Sequence, residues 1–272
     1  MKQKLLGTPL GRAALYLREK VDILCAANTD PERVGTVAND QLATKLVVTL
    51  CQPNKTFIDV GAHIGSIISS VAHNDSSITI VAVEAIPQKV SKLRQKFPLV
   101  EFHGCAVGES LGEVSFFINN DQSGCSSMGT PTDSNKDSIS EIKVPLNRLD
   151  ELVSSDKVDV IKIDVEGAEL GVLRGASELL KKSRPTIMFE SGPEMDDGLG
   201  YTKKAMYQFL ASNDYAVVVP NRVAHNDSGL TEDGFIESHL YPRRTTNYFA
   251  IPNERRVEIR DRARTILNIR IS

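Results

Sequence analysis

From residue 56 to residue 251, short runs of apolar residues alternate with segments in which apolar residues recur every three or four positions. Continuous apolar runs are typical of β-strands buried on both faces, and the longer periodicity is typical of amphipathic helices. This alternation predicts an α/β fold with a doubly wound, mostly parallel sheet of seven strands, covered by helices. The predicted strands are Thr56–Val60, Ile78–Glu84, Val100–Cys105, Val158–Val165, Thr186–Glu190, Tyr215–Val219 and Asn247–Ile251.

Helices and one additional strand pair complete the predicted core. The pair, Glu113–Ile118 with Glu141–Pro145, interrupts the alternation after the third strand. The polar span between its strands, Asn119–Ser140, is predicted to be either a mobile functional loop or a disordered segment. The predicted helices are Ile64–His73, Pro87–Phe97 and Glu169–Lys182.

The two ends of the chain lie outside this pattern. Residues 1–54 contain two segments of helical periodicity separated by a breaker, which predicts an N-terminal helical extension to a domain of residues 55–252. Residues 253–272 are rich in arginine, with acidic residues interleaved. This composition favours a solvated helix with i,i+4 ion pairs, and an anion-binding tail is the alternative.

Composition and charge narrow the class of protein. Hydrophobic residues make up 41% and charged residues 25% of the 272 residues, which is ordinary for a globular chain with a core. The net charge of -3 argues against a nucleic-acid partner. No apolar run reaches the roughly 20 residues of a membrane span, and the four widely spaced cysteines match no disulfide or zinc pattern. We therefore expect a cytoplasmic protein.

A glycine-containing loop follows the first predicted strand, with the sequence Asp59-Val-Gly-Ala-His-Ile-Gly65. Gly61 and Gly65 allow a tight turn and close approach of the backbone to a ligand. The spacing differs from the G-x-G-x-x-G pattern of dinucleotide sites. Asp59 would repel a pyrophosphate, so the loop favours a ligand with a cationic amine and a sulfonium; the alternative is a turn that only needs glycines.

Acidic residues stand at the carboxyl ends of four predicted strands. These residues are Asp59, Glu84, Asp164 and Glu190. Ligands of doubly wound sheets bind at this edge, and an acid at the end of the second strand is placed to accept hydrogen bonds from ribose hydroxyls. The four acids together therefore predict a binding cleft at this edge.

The fourth strand carries a lysine where a buried residue is expected. Alternation places Lys162 on the same face as Asp164, and a buried ammonium needs a carboxylate partner. Asp164 is one candidate partner, and Asp59 and Glu190 lie on strands expected to flank this one. Glu166 is predicted either to reach the cleft or to favour the start of the next helix.

Several of these segments resemble the class I S-adenosylmethionine-dependent methyltransferases, and specifically the FkbM family. The segment Ile161-Lys-Ile-Asp-Val-Glu-Gly-Ala-Glu169 is the most specific, and the resemblance covers roughly residues 55–252. It implies a Rossmann-like methyltransferase fold. The other matching segments are Phe57–Gly65, Val83–Ala85, Ala106–Gly108, Val144–Asp150, Pro185–Glu190 and Asn247–Ile251.

The resemblance implies S-adenosyl-L-methionine as cofactor and a hydroxyl of a sugar, glycoside or natural-product-like small molecule as acceptor. It places the methionine part at the Asp59–Gly65 loop, the ribose at Glu84, the adenine edge at Cys105-Ala106 and the transferred methyl near Asp164. His63 stands where the family more often has asparagine. The implied cofactor-binding residues are Asp59, Gly61, Ala62, His63, Gly65, Glu84, Ala85, Cys105, Ala106 and Asp164.

An alcohol is a poor nucleophile, so methyl transfer to a hydroxyl calls for a general base. Asp164, Glu166 and Glu190 are the predicted catalytic residues, with His63 as a further candidate base. No metal is predicted, because no ligand spacing supports one. The acceptor pocket is expected to form from the N-terminal helices, Asn119–Ser140 and Gly192–Lys203.

Three other functions share parts of this pattern. The glycine spacing disfavours a nicotinamide oxidoreductase. A nucleic-acid amino-methyltransferase would carry a proline-rich motif where this chain has Asp164-Val-Glu-Gly167. A catalytically inactive binding protein of the same fold is the remaining alternative, and the acids at positions 59, 84 and 164 argue against it.

Overall fold

The computed structural model describes residues 9–119, 126–129, 139–192 and 199–269. Its central sheet consists of the strands β1 (Thr56–Val60), β2 (Thr79–Val83), β3 (Glu101–His103), β7 (Val158–Ile163), β8 (Thr186–Glu190), β9 (Tyr215–Val218) and β10 (Asn247–Pro252). The strand order is β3-β2-β1-β7-β8-β10-β9. The first five of these strands are parallel, and β10 is antiparallel to both neighbours. The predicted α/β, mostly parallel, seven-stranded sheet is confirmed.

A second, smaller sheet contains the predicted strand pair. Strands β5 (Gly112–Asn119) and β6 (Ile139–Asn147) are antiparallel, and the short β4 (Ala106–Val107), which the sequence did not predict, pairs with β6. Most of the predicted loop Asn119–Ser140 lies outside the described residues, as do residues 193–198 of the predicted insertion Gly192–Lys203.

Ten α-helices are found among the described residues. Of the helices after residue 97, the sequence predicts only those in the segment Glu169–Lys182 and the C-terminal one. The helices are α1 (Pro9–Thr29), α2 (Val34–Leu50), α3 (Ser66–Asn74), α4 (Pro87–Lys96), α5 (Leu149–Leu152), α6 (Glu169–Arg174), α7 (Ser177–Ser183), α8 (Lys203–Ser212), α9 (Glu232–Glu237) and α10 (Arg256–Leu267). Within the described part of the chain, every helix is too short or too polar to cross a lipid bilayer.

The core lies on both faces of the sheet. Every residue of the central strands β1 and β7 is buried. On one face, Phe57 and Val160 belong to a cluster with residues of α2, α3 and α10. On the other face, Ile58 and Ile161 belong to a cluster with residues of α6, α7 and α8. Burial on both faces explains why these strands are continuous apolar runs.

The predicted single helix Glu169–Lys182 is wrong, because the segment forms two helices, α6 and α7. The chain bends at Gly175, where a Cβ atom would lie only 2.0 Å from the carbonyl oxygen of Gly108. Asp150 then holds the start of α7, since its carboxylate accepts the N–H of Leu179 at 2.9 Å. Residues far apart in sequence therefore contact the chain at the break between the two helices.

The N-terminal extension is anchored to the sheet through α2. Leu46, Val47 and Leu50 are fully buried in the same cluster as β1. The carboxylate of Asp40 accepts hydrogen bonds from the Thr245 hydroxyl at 2.7 Å and the Thr246 N–H at 2.8 Å, just before β10. The domain boundary after residue 54 stays a prediction, and α2 shares its core with the domain that follows.

The C-terminal helix α10 is more than a solvated helix, which corrects the sequence-based expectation. Ile259 and Ala263 are fully buried in the core. Arg255 forms an ion pair of 2.6 Å with the buried Asp159 at the start of β7. The i,i+4 pair of Arg262 with Glu258 is present at 3.1 Å. Helix α10 is thus docked by both apolar and ionic contacts.

Candidate active site

A cavity opens at the carboxyl ends of β1, β2, β7 and β8, the edge where the sequence predicts a cleft. Nine of the predicted site residues line it, and three more lie buried behind the lining. Those in the lining are Gly61, His63, Glu84, Ala85, Cys105, Ala106, Asp164, Glu166 and Glu190; those behind it are Asp59, Ala62 and Gly65. The residues predicted for cofactor and for catalysis therefore meet at one cavity.

The loop after β1 approaches the loop after β7 very closely. Gly61 has a φ of +83°, and a Cβ atom on it would lie 1.8 Å from the carbonyl oxygen of Asp164. Any side chain at this position would force the two loops apart, so glycine is required here. Gly65 has a φ of +76°, and its Cβ position is occupied by the side chains of Phe97 and Leu93.

The ammonium group of Lys162 contacts both the segment Asp59–Gly61 and Asp164, at the ends of β1 and β7. Its Nζ lies 3.0 Å from Oδ1 of Asp59 and 3.2 Å from Oδ2 of Asp164, and it donates a hydrogen bond of 2.9 Å to the carbonyl of Gly61. Burial alone would lower the pKa of Lys162, but the two carboxylates outweigh burial and raise it above its usual value. The predicted pairing of Lys162 with Asp164 and Asp59 is present.

Glu84 lies at the end of β2 and is 6% exposed. Its two carboxylate oxygens accept the N–H groups of His63 at 2.8 Å and of Ile86 at 2.9 Å. Burial raises the pKa of Glu84, and the charge of Lys89 opposes that shift. Each carboxylate oxygen has a second lone pair, so Glu84 retains capacity to accept hydrogen bonds from a ligand.

Three carboxyl groups converge where the cavity reaches β7 and β8. One oxygen each of Asp164, Glu166 and Glu190 lies within 4.8 Å of the others, close enough to gather a divalent cation; the absence of a metal stays a prediction. A hydrogen bond joins Asp164 to Glu190. Like charges this close oppose ionisation, so at least one of the three carboxyl groups should hold a proton at neutral pH when no metal is bound.

The three carboxyl groups differ in acidity. Burial and the hydrogen bond to Asp164 raise the pKa of Glu190 to about 10, so Glu190 is the proton donor in that bond. Burial opposes the ionisation of Asp164, but Lys162 and Glu190 outweigh it and lower its pKa. Burial and the charge of Asp164 raise the pKa of Glu166 to about 7. Near neutral pH, Glu190 is therefore neutral, Asp164 is ionised and Glu166 can exchange a proton.

Sequence reasoning missed several lining residues. Ile86 and Lys89 closely follow Glu84, just before α4 and in its first turn. This position beside a predicted site residue indicates that they line the same cavity. Phe116 alternates with Val114 and Ile118 along β5, which predicts a shared face but not which cavity that face meets. Ser126 and Met128 belong to the polar span Asn119–Ser140, for which the sequence predicts either a functional loop or a disordered segment. The missed residues are Val60, Val83, Ile86, Lys89, Val107, Phe116, Ser126, Met128 and Val165.

Comparison with solved structures gives distant similarities. A methyltransferase FkbM from Methylobacillus flagellatus KT shares 17% identity, with a TM-score of 0.45, over 73% of this chain and 43% of that one. An S-adenosylmethionine-dependent methyltransferase from Aquifex aeolicus shares 16% identity, with a TM-score of 0.35, over 71% and 89%. The plantazolicin methyltransferase BamL, solved in complex with a triazolic desmethylPZN analog and S-adenosylhomocysteine, shares 12% identity, with a TM-score of 0.35, over 100% and 88%.

The present chain thus spans less than half the length of the FkbM protein to which it is similar. No curated protein matches the chain. The family model of the methyltransferase FkbM domain matches residues 59–217, from the Asp59 loop through β9. Because that match covers more than half of the 272 residues, the chain belongs to the FkbM methyltransferase domain family.

Proposed function

We propose that this protein is an S-adenosyl-L-methionine-dependent O-methyltransferase that acts on a hydroxyl of a carbohydrate, glycoside or similar small molecule. The proposal rests on one observation: Gly61, Glu84 and Glu166 line the same cavity, and the pKa of Glu166, about 7, suits a general base. Membership of the FkbM domain family supports methyl transfer as the reaction. The family resemblance supports the choice of acceptor.

The residues present fit the proposed cofactor. Glu84 retains acceptor capacity for ribose hydroxyls, and Cys105 and Ala106 offer a small, apolar wall for the adenine edge. The side chain of Asp164 carries negative charge in the cavity, which suits a cationic sulfonium. When bound, the cofactor would supply an electrophilic methyl group.

The chain itself must orient the acceptor and remove its proton. Transfer needs the acceptor oxygen about 3 Å from the methyl carbon, so the cavity walls contribute mainly by alignment. Glu166 is the base we propose, because near neutral pH it is partly ionised and can take up the hydroxyl proton. Glu190 is neutral in this range and is suited to donating a hydrogen bond rather than to accepting a proton.

S-adenosylhomocysteine is expected to raise the melting temperature of the protein, whereas NAD is expected to leave it unchanged. At about a hundred times its dissociation constant, a ligand that binds only the folded state adds about 2.7 kcal/mol to the free energy of unfolding. Thermal-shift measurements with both ligands test this directly. An equal shift with NAD, or no shift at millimolar S-adenosylhomocysteine, would contradict the proposed cofactor.

Glu84→Gln is expected to weaken binding of S-adenosylhomocysteine by about 1.5–3 kcal/mol, because the charged acceptor for the ribose is lost. The amide oxygen of glutamine can still accept one of the two backbone N–H groups that Glu84 accepts, so the fold should persist. Titration calorimetry measures the affinity. Glu113→Gln, an exposed acid on β5, is the matched control and should bind normally. Normal affinity of Glu84→Gln would place the ribose elsewhere.

Acceptor identity can be tested by transfer of a labelled methyl group from the cofactor to a panel of sugars, nucleotide sugars and glycosides. An alkali-stable methyl ether is the expected product. Transfer to amines with no transfer to hydroxyls would overturn the proposed O-methylation while leaving the cofactor assignment intact.

A further inference from the structure

Glu169, the first residue of α6, is a buried acid whose carboxylate points back along the chain. It is 5% exposed, and no ion pair joins it to a lysine or arginine of the described residues. Its Oε1 accepts two backbone hydrogen bonds, from the N–H of Val165 at 3.3 Å and from the N–H of Gly167 at 3.2 Å. Both donors belong to the loop that precedes the helix.

The two donors flank Glu166, which has an unfavourable backbone conformation. Glu166 has a φ of +53° and Gly167 a φ of +97°, so two consecutive residues are left-handed. A residue with a side chain in this region persists only when its surroundings hold it there. The amides on either side of Glu166 are both fixed by the same oxygen of Glu169, so this carboxyl group restrains the conformation that aims Glu166 at the cavity.

We propose that Glu169 is a positioning residue that holds Glu166 in place beside Asp164 and Glu190. This inference rests on the proposed function, since it acts through Glu166 as the base. An acid that only stabilised its own helix would bond to N–H groups of the first helical turn or act on the helix dipole. The carboxylate of Glu169 also accepts the N–H of its own residue at the start of α6, but its other two bonds go two and four residues backwards, to the loop outside the helix.

Burial raises the pKa of Glu169 to about 7, so its charge changes in the same range as that of Glu166. The bonds to Val165 and Gly167 need an oxygen acceptor rather than a charge. Glutamine at position 169 should therefore preserve the loop, whereas alanine or the shorter aspartate should release it. The titratable groups around Glu166 are Asp164 on its own loop, Glu169 at the start of α6, Glu190 at the end of β8, and His63, Glu84 and Lys89 along the cavity.

The test uses the full chain with the variants Glu169→Ala, Glu169→Asp and Glu169→Gln. Native-state amide exchange of Val165 and Gly167, and the titration of the Glu166 carboxyl followed by carbon NMR, need no known acceptor. In the alanine and aspartate variants we expect exchange at both amides to be about tenfold faster, as for the loss of one hydrogen bond. We also expect the Glu166 titration to move towards that of a solvated carboxyl, and the glutamine variant to resemble the wild type in both.

Asp150→Ala is the matched control, because Asp150 also accepts backbone N–H groups of a helix start, at α7, but does not line the cavity. It should lower stability without changing the Glu166 titration. Once an acceptor is identified, Glu169→Ala should lower kcat by about 10–100-fold, because Glu166 would be misplaced. The affinity for S-adenosylhomocysteine should be unchanged.

Two results would overturn the inference. One is an unchanged Glu166 titration and unchanged exchange at Val165 and Gly167 in both Glu169→Ala and Glu169→Asp. The other is a Glu166→Gln enzyme with the wild-type rate beside a slow Glu169→Ala enzyme, since Glu169 could not then act through Glu166. Failure of S-adenosylhomocysteine to bind the wild type would instead reject the proposed function, while the exchange and titration measurements would still decide the role of Glu169.

Discussion

Lys162→Met is expected to lower the free energy of unfolding by about 3–5 kcal/mol near neutral pH, because it leaves a buried carboxylate without its cation. Asp59 is 1% exposed and lies 3.0 Å from the ammonium that methionine would remove. Asp164 is less affected, since its side chain is 40% exposed. The hydrogen bond to the Gly61 carbonyl is lost as well, so the loop after β1 should also loosen. Urea denaturation measures the change.

Two controls separate the loss of charge from the change of side chain. The double variant Lys162→Met with Asp59→Asn removes both charges and should recover much of the lost stability. Lys157→Met, at an exposed lysine just before β7, should change stability by less than about 0.5 kcal/mol.

The effect of Lys162→Met should also depend on pH. Burial raises the pKa of Asp59 above its usual value even beside Lys162, and loss of the ammonium should raise it further, so the folded variant should gain stability relative to the unfolded state as the pH falls. The deficit should therefore shrink in acid. If Lys162→Met alone is as stable as the wild type at neutral pH, the Lys162 ammonium is not required to stabilise the buried Asp59.

The strands and the strand-end acids could be predicted from the sequence because each depends on local pattern. Strands buried on both faces are continuous apolar runs, so all seven strands of the main sheet were found. Alternation along the predicted strand Val158–Val165 places Lys162 and Asp164 on one face, and a lysine in such a buried run needs a carboxylate partner. The ends of the strands could be predicted less closely. The predicted strand Val158–Val165 ends at Ile163, shortly before Glu166, whose backbone is left-handed.

Features that depend on contacts across the chain could not be predicted. The break at Gly175 lies against the carbonyl of Gly108, 67 positions earlier, and the helical periodicity of the segment gives no sign of that contact. The differing acidities of Asp164 and Glu190 require a hydrogen bond between the ends of two strands. Docking of α10 did leave a signal, since Ile259 and Ala263 are four residues apart on one face, but the surrounding arginines obscured it.

Glu166→Gln is expected to lower kcat for methyl transfer by about 10²–10⁴-fold, because the carboxamide keeps the shape of the side chain but cannot take up a proton. The affinity for S-adenosylhomocysteine should stay near the wild-type value. In the wild type, kcat should rise with pH through about 7, since Glu166 acts as a base only when it is ionised. This rise should disappear in the variant. Single-turnover rates across a pH series measure both effects.

Glu190→Gln is the matched comparison, since Glu190 is neutral near pH 7 and glutamine retains a hydrogen-bond donor to Asp164. Its rate should fall less than about tenfold, within the range for one altered hydrogen bond. Wild-type activity that survives EDTA would show that methyl transfer needs no chelatable metal at the three carboxyl groups. If Glu166→Gln is fast and Glu190→Gln is slow, the base is Glu190. In that case Glu190 must be ionised and Asp164 protonated, which is the reverse of the arrangement that burial and Lys162 favour. If both variants are fast, Asp164 and His63 are the remaining candidates. Asp164 is ionised, and burial and Lys89 lower the pKa of His63, which leaves its imidazole neutral and able to accept the proton.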